Sequence, residues 1–192
     1  MTKLSRYTVL ILGAWLATAC SGVLTSDRPV RQEYLLQPLS ANAPAVAPVE
    51  RPELQLQVSA VPGLDTDRIL ALEPDSRLVQ YANARWPDHL PEVLESVIRR
   101  SLTAAGGASD EDRSVALEVQ EFFGVRDSEG ATRTVAVSFS SVAQCGDSRQ
   151  TTRLEASTPV SGDRLADVVA AHQAGLNEVT RQLIQQVNTS CE

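Results

Sequence analysis

Residues 87–102 read PDHLPEVLESVIRRSL. Leu90, Val93, Leu94, Val97, Ile98 and Leu102 recur at intervals of three and four, the period that gathers apolar side chains on one face of a helix. Pro87 and Asp88 open it, and Asp88 is the expected N-cap, a carboxylate that accepts from first-turn amides. Glu92 and Glu95 stand near the positive end of the helix dipole, Arg99 and Arg100 toward the negative end. Gly106-Gly107 is expected to end the helix. A helix with one apolar face needs a second layer to cover it, and the flanking sequence supplies strands.

Before the helix, residues 53–60 read ELQLQVSA, a strict alternation that predicts a strand with one buried face. Pro62-Gly63 stops it. Arg68 to Leu72 and Arg77 to Ala84 form a hairpin around Pro74-Asp75. Further upstream, EYLLQPL at 33–39 reads as a short strand, and the Ala- and Pro-rich residues 40–52 as an extended connection. After the helix come three strands at 114–125, 132–143 and 149–158, joined by turns at 127–131 and 145–148. Val115, Leu117, Val119 and Glu121 share one phase, so the inward face is expected to change or to bulge near Phe122-Phe123. The last of the three is polar and reads as an edge. A second long helix covers about 163–187, with Leu165, Val168, Val169, His172, Leu176, Val179, Leu183 and Val187 near one face. His172 is expected at the helix surface or partly buried, without a chemical role.

The first twenty residues are MTKLSRYTVLILGAWLATAC. Lys3 and Arg6 precede an apolar run from Thr8 to Leu16, then the small residues Ala17, Thr18 and Ala19. A basic start, a short apolar core and a small-residue cleavage site describe a secretory signal peptide. The run is too short to span a bilayer, which takes roughly 20 apolar residues. Cys20 then resembles the cysteine of the bacterial lipobox, lipidated to become the mature N-terminus. Ala17 stands where the common pattern has Leu, and Leu16 lies one place further back. Acyl chains contribute about 0.8 kcal/mol per buried methylene, so several chains anchor a soluble domain stably. Ser21 follows instead of the Asp that retains such lipoproteins at the inner membrane, which favours the periplasmic face of the outer membrane. The chain therefore divides into a signal peptide at 1–19, a leash at 20–32 and a domain at 33–190.

The 17 basic residues lose Lys3 and Arg6 on cleavage, which leaves 15 against 24 acidic and a net charge of −9. Lys3 is the sole lysine, so every basic residue of the mature chain is an arginine. An acidic chain without a basic run is a poor partner for nucleic acid or for a polybasic contact with membrane. With Cys20 acylated, Cys145 and Cys191 remain. An even pair in an oxidising compartment reads as a disulfide, two free thiols being the alternative. The bridge would staple the last helix to the hairpin turn at 145–148. Neither a CxxC pair nor a Cys/His cluster is present, so no metal is expected, and no cofactor motif occurs. His89 and His172 are the two histidines. No G-x-S-x-G elbow and no glycine-rich phosphate loop after a strand appears. The chain does not read as an enzyme.

Three stretches carry a family likeness. They are EYLLQP at 33–38, the VPGLD turn at 61–65 followed by Asp67-Arg68, and Arg85-Trp86 stepping into the helix that starts near Leu90. In this order, behind a lipobox, they resemble the ABC-type transport auxiliary lipoprotein family over residues 33 to 187. Members often have Pro-Gln after the Asp-Arg, where this chain continues Ile69-Leu70. The resemblance implies an α/β (α+β) fold, a small sandwich with two helices packed on one face of a mixed, largely antiparallel sheet. It also implies a non-enzymatic auxiliary component of trans-envelope lipid transport, at the outer-membrane end. The partners would be an MCE-domain protein, which forms a lipid tunnel, with its inner-membrane permease and ABC ATPase; a homo-oligomer is left open. Arg85 and Trp86 are the candidate partner contacts, since Arg and Trp are enriched at interfaces; alternatively Trp86 closes one end of the core. Two other roles compete with docking. One is a lipid-binding module, although aromatic residues at 4% leave little surplus to line a groove. The other is a structural envelope lipoprotein regulating cell-wall enzymes.

Overall fold

The computed structural model describes residues 31–39, 55–105 and 113–189. Among these residues, seven strands and two helices follow one another as β1 (Gln32–Glu33), β2 (Gln55–Ala60), β3 (Arg68–Leu72), β4 (Leu78–Arg85), α1 (Leu90–Ala104), β5 (Arg113–Arg126), β6 (Thr132–Cys145), β7 (Ser148–Pro159) and α2 (Leu165–Thr189). The strands form one mixed sheet in the order β1-β4-β3-β5-β6-β7, with β2 also paired to β5. The fold is the expected mixed α/β arrangement of two helices and a sheet. The polar β7 lies at one end of that order.

β5 is the spine. Its first half, Ser114 to Val119, pairs in parallel with β2, and Gly124 and Val125 pair in parallel with β3. One strand thus serves two partners along the same edge. The ladder to β6 slips between Val119 and Glu121. Of the two outcomes the apolar phase left open, the slip is a bulge: Val115, Leu117 and Val119 are buried before it, and Phe122 after it. An extra residue shifts the inward phase by one and bends the strand.

α1 buries Leu90, Val93, Leu94, Val97, Ile98 and Leu102, the face read from the sequence. Its start differs from expectation. His89 is the N-cap and makes no side-chain capping bond. Asp88 instead accepts from the His89 amide at 2.8 Å. Pro91 lies in the first turn and offers no N–H for a cap to serve. The Leu90 amide is satisfied from elsewhere, donating to the Thr66 carbonyl at 3.1 Å. The helix gives way to Ala105, just before Gly106-Gly107, which lie outside the described residues.

α2 packs on β5, β6 and β7. Gly175 is what lets it approach: a Cβ there would lie 2.9 Å from Val137 Cγ2 and 3.3 Å from Thr158 Oγ1. His172 is a correction. It is fully buried rather than at the surface, because the Leu176–Val179–Leu183 face that carries it is turned into the core.

The expected strand at 33–39 is also corrected. Pairing ends after Glu33, with Gln32 opposite Ala84 and Glu33 opposite Arg85 in parallel. Residues 34–39 then run as a strap held by side chains of both helices. The Gln37 amide donates to Gln173 Oε1 at 2.7 Å and its carbonyl accepts from Gln173 Nε2 at 2.9 Å. The Leu39 amide donates to Ser101 Oγ at 2.9 Å. Ser101 in turn donates to the Val97 carbonyl at 2.8 Å, and Leu36 is buried. Among the described residues, no helix is long and apolar enough to cross a membrane.

Candidate functional site

Arg85 ends β4, Trp86 follows it, and the two side chains lie in different environments. Trp86 is 1% exposed. Its ring meets Phe122 edge-on at 5.9 Å between centroids and His172 at 5.6 Å. Its amide donates to the Asp67 carbonyl at 2.8 Å, which ties the end of β4 to the loop before β3. Of the two residues expected to touch a partner, only Arg85 reaches the surface; the indole belongs to the core.

His172 completes that aromatic cluster, 5.0 Å from the Phe122 ring centroid. Its Nδ1 lies 2.9 Å from the Val168 carbonyl, so Nδ1 carries the proton and donates. Nε2 is buried with no hydrogen-bond partner among the described residues. Burial pushes the imidazole pKa down to about 4, partly countered by the Val168 carbonyl. It is therefore a neutral core group at physiological pH. His89 is the opposite case: exposed, with Nδ1 2.9 Å from Asp65 Oδ1, a hydrogen bond that raises its pKa.

Arg85 sits in a charged group. It binds Glu33 across the β1–β4 pair, and its Nη1 lies 3.5 Å from Asp67 Oδ2. The Glu33 bond is the main cause that raises the Arg85 pKa. Asp67 also holds Arg68 through Nε at 3.1 Å. Arg68 and Arg85 face each other in the β3–β4 ladder, beside a register shift. The shift throws out Ala82 and Asn83, and Asn83 takes φ 56°, the left-handed region that asparagine tolerates better than most residues. The result is a cleft of about 240 Å³ lined by Arg31, Arg68, Arg85, Gln80 and Asn83 together with Ala82 and Ala84. Arg68 was visible in the sequence as half of the Asp67-Arg68 pair. Arg31 and the Asn83 bulge were not, because a two-residue strand and one φ angle leave no periodic signal.

Cys145 ends β6 at the tip of the β6–β7 hairpin; Cys20 and Cys191 lie outside the described residues. Among the described residues, no group of three or more His, Cys, Asp or Glu side chains is placed to hold a metal ion.

Residues 34–184 match the family model for the ABC-type transport auxiliary lipoprotein component. The chain belongs to that family. The lipoprotein is thus a membrane-anchored auxiliary component of an ABC-type transport system, in a family that is not enzymatic. No curated protein matches it. Among solved structures it is similar to an uncharacterised protein at 14% identity and TM-score 0.65, covering 83% of this chain and 99% of the other. It is also similar to a DUF330-family protein of Xanthomonas campestris at 21% identity and TM-score 0.65, covering 82% and 96%. At such identities these likenesses speak for the fold alone.

Proposed function

We propose that the lipoprotein is held by acyl chains on Cys20 at the periplasmic face of the outer membrane and docks the far end of a periplasmic MCE-domain lipid tunnel. The permease and ABC ATPase of that system lie at the inner membrane. The observation that carries this reading is the family match over residues 34–184 behind an N-terminus of lipobox type. The domain contributes position and contact rather than a reaction. Arg85 is the residue at the end of β4 offered to a partner, with Trp86 as the buried support that fixes the strand end beneath it. Signal-peptide removal at residues 1–19, the leash at 20–32 and the folded domain at 33–190 belong to the same reading.

The proposed Cys145–Cys191 bridge fits the packing at the hairpin. Gln186, late in α2, accepts from Ser141 Oγ at 2.8 Å and reaches the Gln150 carbonyl at 3.4 Å. That places the last turns of α2 beside the β6–β7 hairpin whose tip carries Cys145.

In-cell crosslinking followed by affinity capture of the full-length lipoprotein tests the docking role. Recovery of an MCE-domain protein is the expected result. Recovery of cell-wall synthases with no MCE protein would overturn it in favour of a regulator of cell-wall enzymes, and a tightly co-purifying lipid without protein partners would favour a lipid-binding module.

A further inference from the structure

The arginine cleft has a property that docking by Arg85 alone does not use. In a chain with net charge −7, three arginines line one small opening. Two carboxylates, Glu33 and Asp67, stand beside them, so the cluster keeps one positive charge in excess. The way the donors are spent matters more than the sum. Arg68 gives Nε to Asp67, and its two Nη groups have no partner among the described residues. Arg31 has no ion pair among the described residues either. Arg85 gives Nε and Nη2 to Glu33 and approaches Asp67 with Nη1. A carboxylate clamped on the Nε side fixes a guanidinium plane and leaves its outer donors pre-arranged. That is the geometry with which arginine takes a tetrahedral oxyanion in preference to a lone chloride. Gln80 and Asn83 add neutral amide groups to the lining.

We infer that this cleft binds a phosphate group, with Arg31 and Arg68 as its principal donors and Arg85, held by Glu33, as the positioned floor. Two sources carry the same chemistry, a phospholipid headgroup and free phosphate. The headgroup has the better access if the chain is anchored as proposed above, a point that rests on that reading. Ten residues lie between Cys20 and Arg31, a tether of at most about 40 Å when fully extended.

The test is calorimetric titration of the purified full-length chain in a non-ionic detergent at constant ionic strength. One arm uses inorganic phosphate, the other a short-chain phosphatidylglycerol. Saturable binding is expected. Arg31→Gln and Arg68→Gln should each weaken it about tenfold, the effect of losing one charge-assisted bond. Arg133→Gln, on the exposed β5–β6 hairpin, should leave it unchanged and controls for net charge. Binding confined to the lipid, or tighter for it, identifies a headgroup site; equal binding of phosphate alone identifies a free-anion site. Absence of saturable binding in both arms, or binding that Arg31→Gln and Arg68→Gln leave intact while the variants melt like wild type, overturns the inference. No partner protein is present in this experiment, so its outcome is independent of the docking role.

Discussion

His172 shows how one buried group writes a pH dependence into the domain. Its folded-state pKa is lowered to about 4, whereas an exposed histidine titrates near 6.5. Between those values the unfolded chain binds the proton and the folded chain does not, so stability rises with pH through that window. The contribution is fully present above about pH 6.5 and is lost as the pH falls toward 4, up to about 3 kcal/mol in all. Denaturant unfolding of wild type at pH 7 and pH 4.5 should show this loss. His172→Phe, which keeps an aromatic ring against Trp86 and Phe122, should flatten the slope in the same window. Trp86 makes a second prediction: Trp86→Ala should cost about 3–5 kcal/mol by emptying the centre of that cluster, measured by urea unfolding. Arg85→Ala should cost far less than Trp86→Ala, since ion pairs open to solvent contribute little. The sequence placed both residues at the strand-to-helix step, but it could not separate core from surface there. Adjacent residues on a strand point to opposite sides, and which side is inside is decided by β3 and α2, far away in the chain.

At the scale of elements, legibility tracked the range of the forces involved. The α1 face was readable because helical period is local, and six of its apolar positions are buried as spaced. The β5 phase break was readable for the same reason, since it needs only neighbouring residues; that it takes the form of a bulge is decided by the pairing with β6. The strap at 34–39 was not. Its hydrogen bonds come from Gln173, 136 positions away, and from Ser101, 62 positions away. Nor was the missing cap on Asp88, because its place is taken by a backbone bond from Leu90 to Thr66. Ser101→Ala should therefore free the part-buried Leu39 amide and loosen the strap, at a cost of about 0.5–1.5 kcal/mol for the lost hydrogen bond. Faster amide exchange confined to residues 34–39 would report it. Gly175 is the element-scale counterpart of a core residue. Gly175→Leu should push α2 off Val137 and Thr158 and destabilise by about 1–3 kcal/mol, the usual penalty of overpacking. Thermal unfolding reads that loss.

At the scale of the molecule, two features on different elements carry the proposals. One is the arginine cleft lined by Arg31, Arg68 and Arg85 beside β1. The other is the β6–β7 hairpin, where the proposed Cys145–Cys191 bridge would close 45 intervening residues. Such a bridge should contribute about 3–4 kcal/mol, so Cys145→Ser should lower the melting temperature of oxidised protein and abolish its response to reductant. The composition of the whole chain agrees with attachment by lipid: a net acidic chain without a basic run has no polybasic hold on an anionic membrane, and acyl chains need none. Anchoring is therefore the claim on which the adaptor role stands. Metabolic labelling of cells with radioactive palmitate measures it directly, comparing wild type with Cys20→Ser. The account predicts a labelled wild-type band that fractionates with outer membrane and an unlabelled variant released to the periplasm; a wild-type chain that takes up no label would contradict it.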